Sequence, residues 1–347
     1  LRWESEATPG PPITQKESDM RSWILGFAVA VVASSPALAQ PKPAIVYDMG
    51  GKFDKSFNEA AFNGAEAFRK QTGIEFRDFE IQNDAQREQA LRRFARDGLS
   101  PVVAVGFSQA SALEKVAKEF PGTKFTLIDM VVDLPNVQSV VFKEHEGSFL
   151  VGLLAAKASK TGKVGFVGGM DIPLIRKFAC GYVQGVKYAN PAAEVFQNMT
   201  GTTGAAWNDP VKGGELAKAQ IDRGADVIYH AAGGTGIGVL RAAADAGKLG
   251  IGVDSNQNGL HPGKVLTSML KRVDVAVTKS FTDARDGSWK PGVTVLGLKE
   301  QGVAWALDDA NKALITADMQ AAADKASADI VSGAVKVHDY MADQKCP

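Results

Sequence analysis

Residues 44–70 read AIVYDMGGKFDKSFNEAAFNGAEAFRK: an apolar run from Ala44 to Asp48, a turn at Gly50-Gly51, then Ser56 to Lys70 with apolar residues at helical spacing. A short strand followed at once by a helix is one βα unit of a parallel sheet. Ser56 with Glu59 three residues on reads as a capping box, which sets the helix start independently of hydrophobicity. Outward from this stretch the unit recurs. Strand-like runs at 74–79, 102–106, 125–129, 164–167, 195–199, 227–230, 251–254 and 265–269 alternate with helical patterns at 86–96, 110–119, 173–189, 210–223 and 237–246. Pro173 and Pro210 suit first helical positions, and Gly73, Gly98 and Gly224 suit helix ends.

The alternation predicts an α/β fold with parallel sheets covered by helices on both faces. Because the series runs twice, over 44–142 and again over 163–254, two doubly wound, Rossmann-like lobes joined by a hinge are expected. The expected first lobe is 40–142 plus about 270–291, and the second is 143–269 plus about 292–347. Crossings between them are expected near Phe142, Met269 and Gly292.

Ahead of this region, Met20-Arg21, the apolar run Trp23 to Val32 and Ala37-Leu38-Ala39 have the three parts of a secretory signal peptide over 20–39. The run is shorter than the roughly 20 residues a membrane span needs. Residues 1–19 are polar and precede that Met, so they are set aside as an extension outside the fold. No Cys follows the apolar run, so no lipobox is expected, and the chain is expected to be free in the periplasm. Lys plus Arg and Asp plus Glu both total 39, without a basic stripe, which argues against nucleic acid as a partner. Cys180 and Cys346, the two cysteines, are too few for a disulfide framework and are read as separate thiols, with a bridge as the lesser alternative. The four His residues (His145, His230, His261, His338) show no paired spacing, so neither a metal nor a cofactor is expected.

Open parallel sheets bind ligands beyond the carboxyl ends of their strands. That rule nominates Asp48, Gly106-Phe107-Ser108, Asp129-Met130, Gly168-Gly169-Met170, His230, Gly233-Gly234-Thr235 and Asp254-Ser255-Asn256. A strand-end Asp can equally cap the next helix, but three of them in one cleft suit hydrogen-bond donors on a ligand. Phe57 continues a helix face with Ala61, Gly64 and Phe68, which alone suggests core, yet its place in the first turn borders the cleft. Trp207 ends a Gly/Thr/Ala loop and has no amphipathic pattern to bury it.

The motif Asp48-Met49-Gly50 followed by Asp54-Lys55-Ser56-Phe57-Asn58 resembles the basic membrane protein family of ABC transporter substrate-binding proteins. Segments at 103–107, 128–129, 147–152, 165–169, 232–236, 253–254 and 267–271 agree, so the resemblance covers essentially all of the chain after residue 40. It implies a type I periplasmic binding fold, with a nucleoside held between the lobes and handed to ABC permease subunits in the inner membrane. The base would lie between Phe57 and Trp207, the latter standing where the family usually has Phe. The resemblance carries Asn58 and Asp129 to the base and Asp48, Gly234, Asp254 and Lys271 to the ribose. Without it, Lys271 would be read as an ordinary surface lysine.

Four rival readings are weighed beside it. A dinucleotide fingerprint at Gly233-Gly234-Thr235-Gly236 fails because Val239 stands where its last Gly is needed. No nucleophile elbow or His pair suggests an enzyme, a signal peptide occupies the place of a repressor's DNA-binding headpiece, and a sugar binder of the same fold remains as the alternative. The expectation is a monomeric binding protein rather than an enzyme.

Overall fold

The computed structural model describes residues 41–347; the extension and the signal peptide expected over 1–39 lie outside the described residues. Chain order in the first half is β1 (Ala44–Tyr47), α1 (Phe57–Thr72), β2 (Arg77–Glu80), α2 (Ala85–Arg96), β3 (Val102–Ala104), α3 (Ala110–Glu119), β4 (Phe125–Ile128) and β5 (Val137–Phe142). The second half runs α4 (Glu144–Ala158), β6 (Lys163–Met170), α5 (Pro173–Ala189), β7 (Glu194–Gly201), α6 (Pro210–Asp222), β8 (Val227–Ala231), α7 (Gly236–Asp245), β9 (Leu249–Asp254) and β10 (Val265–Lys271). After it come α8 (Val273–Arg285), β11 (Gly292–Leu296), β12 (Val303–Trp305) and α9 (Ala317–Ser332).

The strands form two six-stranded sheets, ordered β11-β5-β4-β3-β1-β2 and β12-β10-β9-β8-β6-β7. All neighbours are parallel except β10 and β12. The two orders superimpose position for position, so the repeat read from the sequence is a repeat of topology. In each sheet the winding reverses beside the first strand, between β1 and β3 and between β6 and β8, which is where a doubly wound sheet opens its crevice.

Several local expectations are corrected. The second strand begins at Arg77 rather than Ile74. Gly292–Leu296 pairs with Gln138–Phe142, so it belongs to the first sheet, and the last crossing falls after Leu296 rather than near Gly292. Val293 and Val295 are exposed on this edge strand, which therefore lacks the apolar density of a central one. The capping box is also replaced. The Asp54 carboxylate accepts from the backbone N–H groups of Ser56, Asn58 and Glu59, while the Ser56 hydroxyl turns away to donate to Asp254 Oδ2 at 2.6 Å.

Helix α4 is buried all round for most of its length, so no amphipathic period marks it. It lies against α5 backbone to backbone: a Cβ on Gly185 would sit 1.9 Å from Phe149 O, and one on Gly152 would sit 2.3 Å from Tyr182 O. Only glycine permits that approach. Among the described residues no helix is long and apolar enough to cross a membrane.

Cys180 of α5 and Cys346 of the C-terminal tail form a disulfide, so the reading of two separate thiols is overturned. Their Cα atoms are 5.5 Å apart although 166 residues separate them in sequence. The tail is further held by Gln184, whose side-chain amide donates to His338 O and accepts from His338 N. Cys346 is exposed, so Cys346→Ser should break the bridge without opening a cavity in the core. Closing so long a loop stabilises by about 2–4 kcal/mol. Urea unfolding of this variant should show a loss of that size; an unchanged midpoint would mean that the bridge adds nothing to stability.

Candidate functional site

Between the lobes lies a cleft enclosing about 570 Å³ of atom-free space, its open mouth included. Of the eight residues that the family resemblance carries to the ligand, Asp48, Phe57, Asn58, Asp129, Trp207, Asp254 and Lys271 line it. Gly234 does not line it; Gly233 takes its place on the wall. Sequence reasoning passed over Asp54, Leu174, Ile175 and Phe178, which together with the nominated Phe107 complete much of the lining. Leu174, Ile175 and Phe178 occupy the start of α5 just beyond a strand end, the same placement that singled out Phe57.

Two strand ends carry backbone that side chains other than Gly rarely adopt: Asp129 has φ 74° and Asp254 has φ 62°. Left-handed backbone at a non-glycine residue is disfavoured but best tolerated by Asp and Asn, and such positions gather at functional sites. Here the conformation turns each carboxylate off its strand. Asp254 accepts from Ser56 across the lobe boundary, and Ser255 Oγ and Gln257 Nε2 donate to Ser56 O and Lys55 O at 2.8 and 3.0 Å. These bonds join the second lobe to the start of α1, so the lobes are closed on each other.

Lys271, expected from its own surroundings to be a surface residue, is sealed at the cleft floor with 2 % of its side chain exposed. Its ammonium lies 2.7 Å from Asp129 Oδ2 and 3.0 Å from Glu144 Oε1. It also stands over the rings of Phe57, Phe142 and Phe178 at 5.1, 5.1 and 5.5 Å. Burial disfavours its charge, but Asp129, Glu144 and Asp254 outweigh burial and hold it protonated. Burial pushes Asp129 up to about 6, with Glu144 and Asp254 adding to the shift and Lys271 opposing it. Asp254 is likewise raised by burial. Asp129 Oδ1 is buried without a hydrogen-bond partner, an acceptor that a ligand can satisfy.

Other nominated residues are already engaged. Asp48 accepts from Met49 N, Arg87 Nη2 and Ser108 Oγ at 2.8, 3.0 and 2.6 Å. Asn58 donates both amide hydrogens to Asp48 O and Gly51 O and accepts from Asp48 N. Both therefore brace the β1–α1 loop. His230 lies behind the wall, with Nε2 2.9 Å from Gln257 Oε1, and burial lowers its pKa to about 4. Among the described residues no cluster of three His, Cys, Asp or Glu could hold a metal ion.

Trp207 closes a 3₁₀ turn, Gly204–Trp207, and its ring rests on Gly169 at the end of β6. A Cβ on Gly169 would lie 2.3 Å from Trp207 Cζ3 and 2.5 Å from Cε3.

The sequence profile of the ABC transporter substrate-binding protein PnrA-like (Bmp) family matches residues 42–339. The chain belongs to this family. It is an ABC transporter substrate-binding protein of the Bmp type, and the matched span contains every wall residue named above. It is 33% identical to the ABC transporter nucleoside-binding protein BmpA of Lactococcus lactis, over 85% of this chain and 88% of that one. It is 36% identical to an uncharacterized lipoprotein of Pyrococcus abyssi, over 77% of this chain and 69% of that one. The name of that relative lends no support to the expected absence of a lipid anchor. Among solved structures, an ABC transporter solute-binding protein of Aeropyrum pernix K1 matches with a TM-score of 0.79 and 30% identity, over 85% of this chain and 93% of that one. The type I binding fold expected from the sequence is thereby established for the binding protein.

Gly169→Ala should force the indole to move and cost about 1–3 kcal/mol, the usual range for overpacking. A double-mutant cycle with Trp207→Ala tests the contact, since the cost of Gly169→Ala should disappear once the ring is gone. Additive losses would place the indole away from Gly169.

Proposed function

We propose that this chain is the periplasmic receptor of an ABC importer for nucleosides, that it prefers purines, and that it delivers them to the membrane permease. The observation that carries the reading is the chemical division of the cleft wall. Phe57 from the first lobe and Trp207 from the second offer aromatic surface, while Asp129 and Asp254 offer buried carboxylates beside one lysine. A nucleoside has the matching division: a flat apolar base with N–H donors, and a ribose that donates hydroxyl hydrogens. The nucleoside-binding relative in Lactococcus lactis supports the same assignment. A base stacked on an aromatic gains about 1–3 kcal/mol per ring face, by analogy with single-stranded nucleic acids.

The carboxylates also bear on what is refused. Asp129 and Asp254 outnumber Lys271 on this wall, so a ligand phosphate would add negative charge where negative charge is already in excess. Because contacts come from both lobes, ligand favours the closed form by the difference between its affinities for closed and open states.

Isothermal titration at neutral pH should rank adenosine or guanosine above uridine, uridine above free ribose, and every nucleoside well above its monophosphate. Ribose equal to adenosine would favour a sugar receptor, and tight binding of the monophosphate would refute the charge argument. In Asp254→Ala, adenosine should lose about 1.5–3 kcal/mol, the worth of hydrogen bonds to a charged group, whereas free adenine should change little. Equal losses for both would move Asp254 away from the ribose.

A further inference from the structure

Glu144 was not among the nominated residues and does not line the cleft, yet its carboxylate is shared by two buried ammonium groups. One oxygen lies 3.0 Å from Lys271 Nζ, and the other lies 2.9 Å from Lys177 Nζ. Glu144 is 1 % exposed and Lys177 8 % exposed in their side chains, so water does not relieve either charge. Lys177 also donates to Phe142 O at 2.7 Å, at the point where the chain leaves the first lobe, and stands 3.6 Å from Asp339 of the disulfide-fastened tail. A row of alternating charge therefore runs from Asp129 in the cleft through Lys271, Glu144 and Lys177 to Asp339.

We propose that Glu144 and Lys177 are positioning residues for the cleft: the Glu144 carboxylate, divided between two lysines, sets how much of Lys271 is left for Asp129, and so how strongly Asp129 accepts from a ligand. The inference rests on the nucleoside reading above only for what the ligand is. Removing either partner redistributes charge in opposite senses. Without the charge of Glu144, Lys271 turns wholly to Asp129 and a like charge disappears, so Asp129 becomes more acidic. Without Lys177, Glu144 draws Lys271 away and its own charge is less neutralised, so Asp129 becomes less acidic. The starting point is known in direction, since Glu144 is pulled down to about 2 by Lys271 and Lys177 despite its burial, and Asp129 is pushed up to about 6. The charged groups that bear on Asp129 are Lys271 from β10, Glu144 from α4 and Asp254 from β9. Asp54, at the head of α1, shares the same cleft wall.

The test follows the Asp129 carboxyl carbon by NMR through a pH titration of the ligand-free protein, with Asp129→Asn to assign the signal. Glu144→Gln should move its midpoint down and Lys177→Gln should move it up, each by about one pH unit, the lower end of what a nearby charge does. Lys177→Arg, which keeps the charge, should restore the wild-type midpoint. Residues that merely hold the fold together would shift both variants alike or neither, and that result overturns the proposal. If one variant fails to fold, the sign in the other decides. Adenosine titrations on the same proteins at pH 7.5 should show binding to Glu144→Gln weakened about tenfold, the order of one hydrogen bond to a charged group. Failure of the wild type to bind adenosine would sink the nucleoside reading, and the carboxyl titration would still judge the positioning one.

Discussion

An ammonium group taken out of water between two domains must be neutralised where it sits, and the solution for Lys271 organises the protein around it. Its partners come from separate parts of the fold: Asp129 from the end of a first-lobe strand, Glu144 from the helix that opens the second lobe, and aromatic faces from α1, β5 and α5. Breaking one partner of such a buried pair leaves an uncompensated charge, which costs far more than the intact pair contributes. The lobes thus meet through a contact that holds them in register. The residue that makes it also lines the ligand cleft.

The cleft follows from the winding of the sheets. Each reverses direction beside its first strand, and the loops leaving β1, β4, β6, β8 and β9 converge on the same space. The helix starts beyond those loops bring Phe57 and Leu174 to the wall from opposite lobes, which explains why residues in first helical turns can leave an otherwise core-facing stripe. Close backbone contact between α4 and α5 packs the two helices tightly behind the second half of the wall. The tail, bridged by Cys346 to Cys180, lies across that same α5.

Much of this was legible from residues 44–270. Strand–helix alternation reported two parallel sheets, because side-chain periodicity is a local property and each βα unit declares its own. The strand-end rule recovered Asp48, Gly106, Phe107, Asp129, Gly233 and Asp254 on the wall, because it depends only on where strands stop, whereas Asn58 and Lys271 came only from the family resemblance. The sequence also suggested Trp207 for want of any buried stripe to hold it, and Gly169 beneath its ring shows how the room is made. Less legible were elements whose character is set by neighbours distant in sequence. Helix α4 is buried on every side and shows no amphipathic period, and edge strand β11 exposes two valines.

The amino-acid sequence alone determined the fold class, the internal repeat and the family, since these rest on short-range spacing and on motifs read without coordinates. Tertiary structure alone decided the identity of the charge partners. That Glu144 sits between Lys271 and Lys177, that Asp54 rather than Ser56 caps α1, and that Cys346 reaches Cys180 are facts about separations in space. Burial then made each pairing obligatory, because a charge removed from water takes its meaning from the nearest opposite charge, and sequence distance places no limit on which residue supplies it.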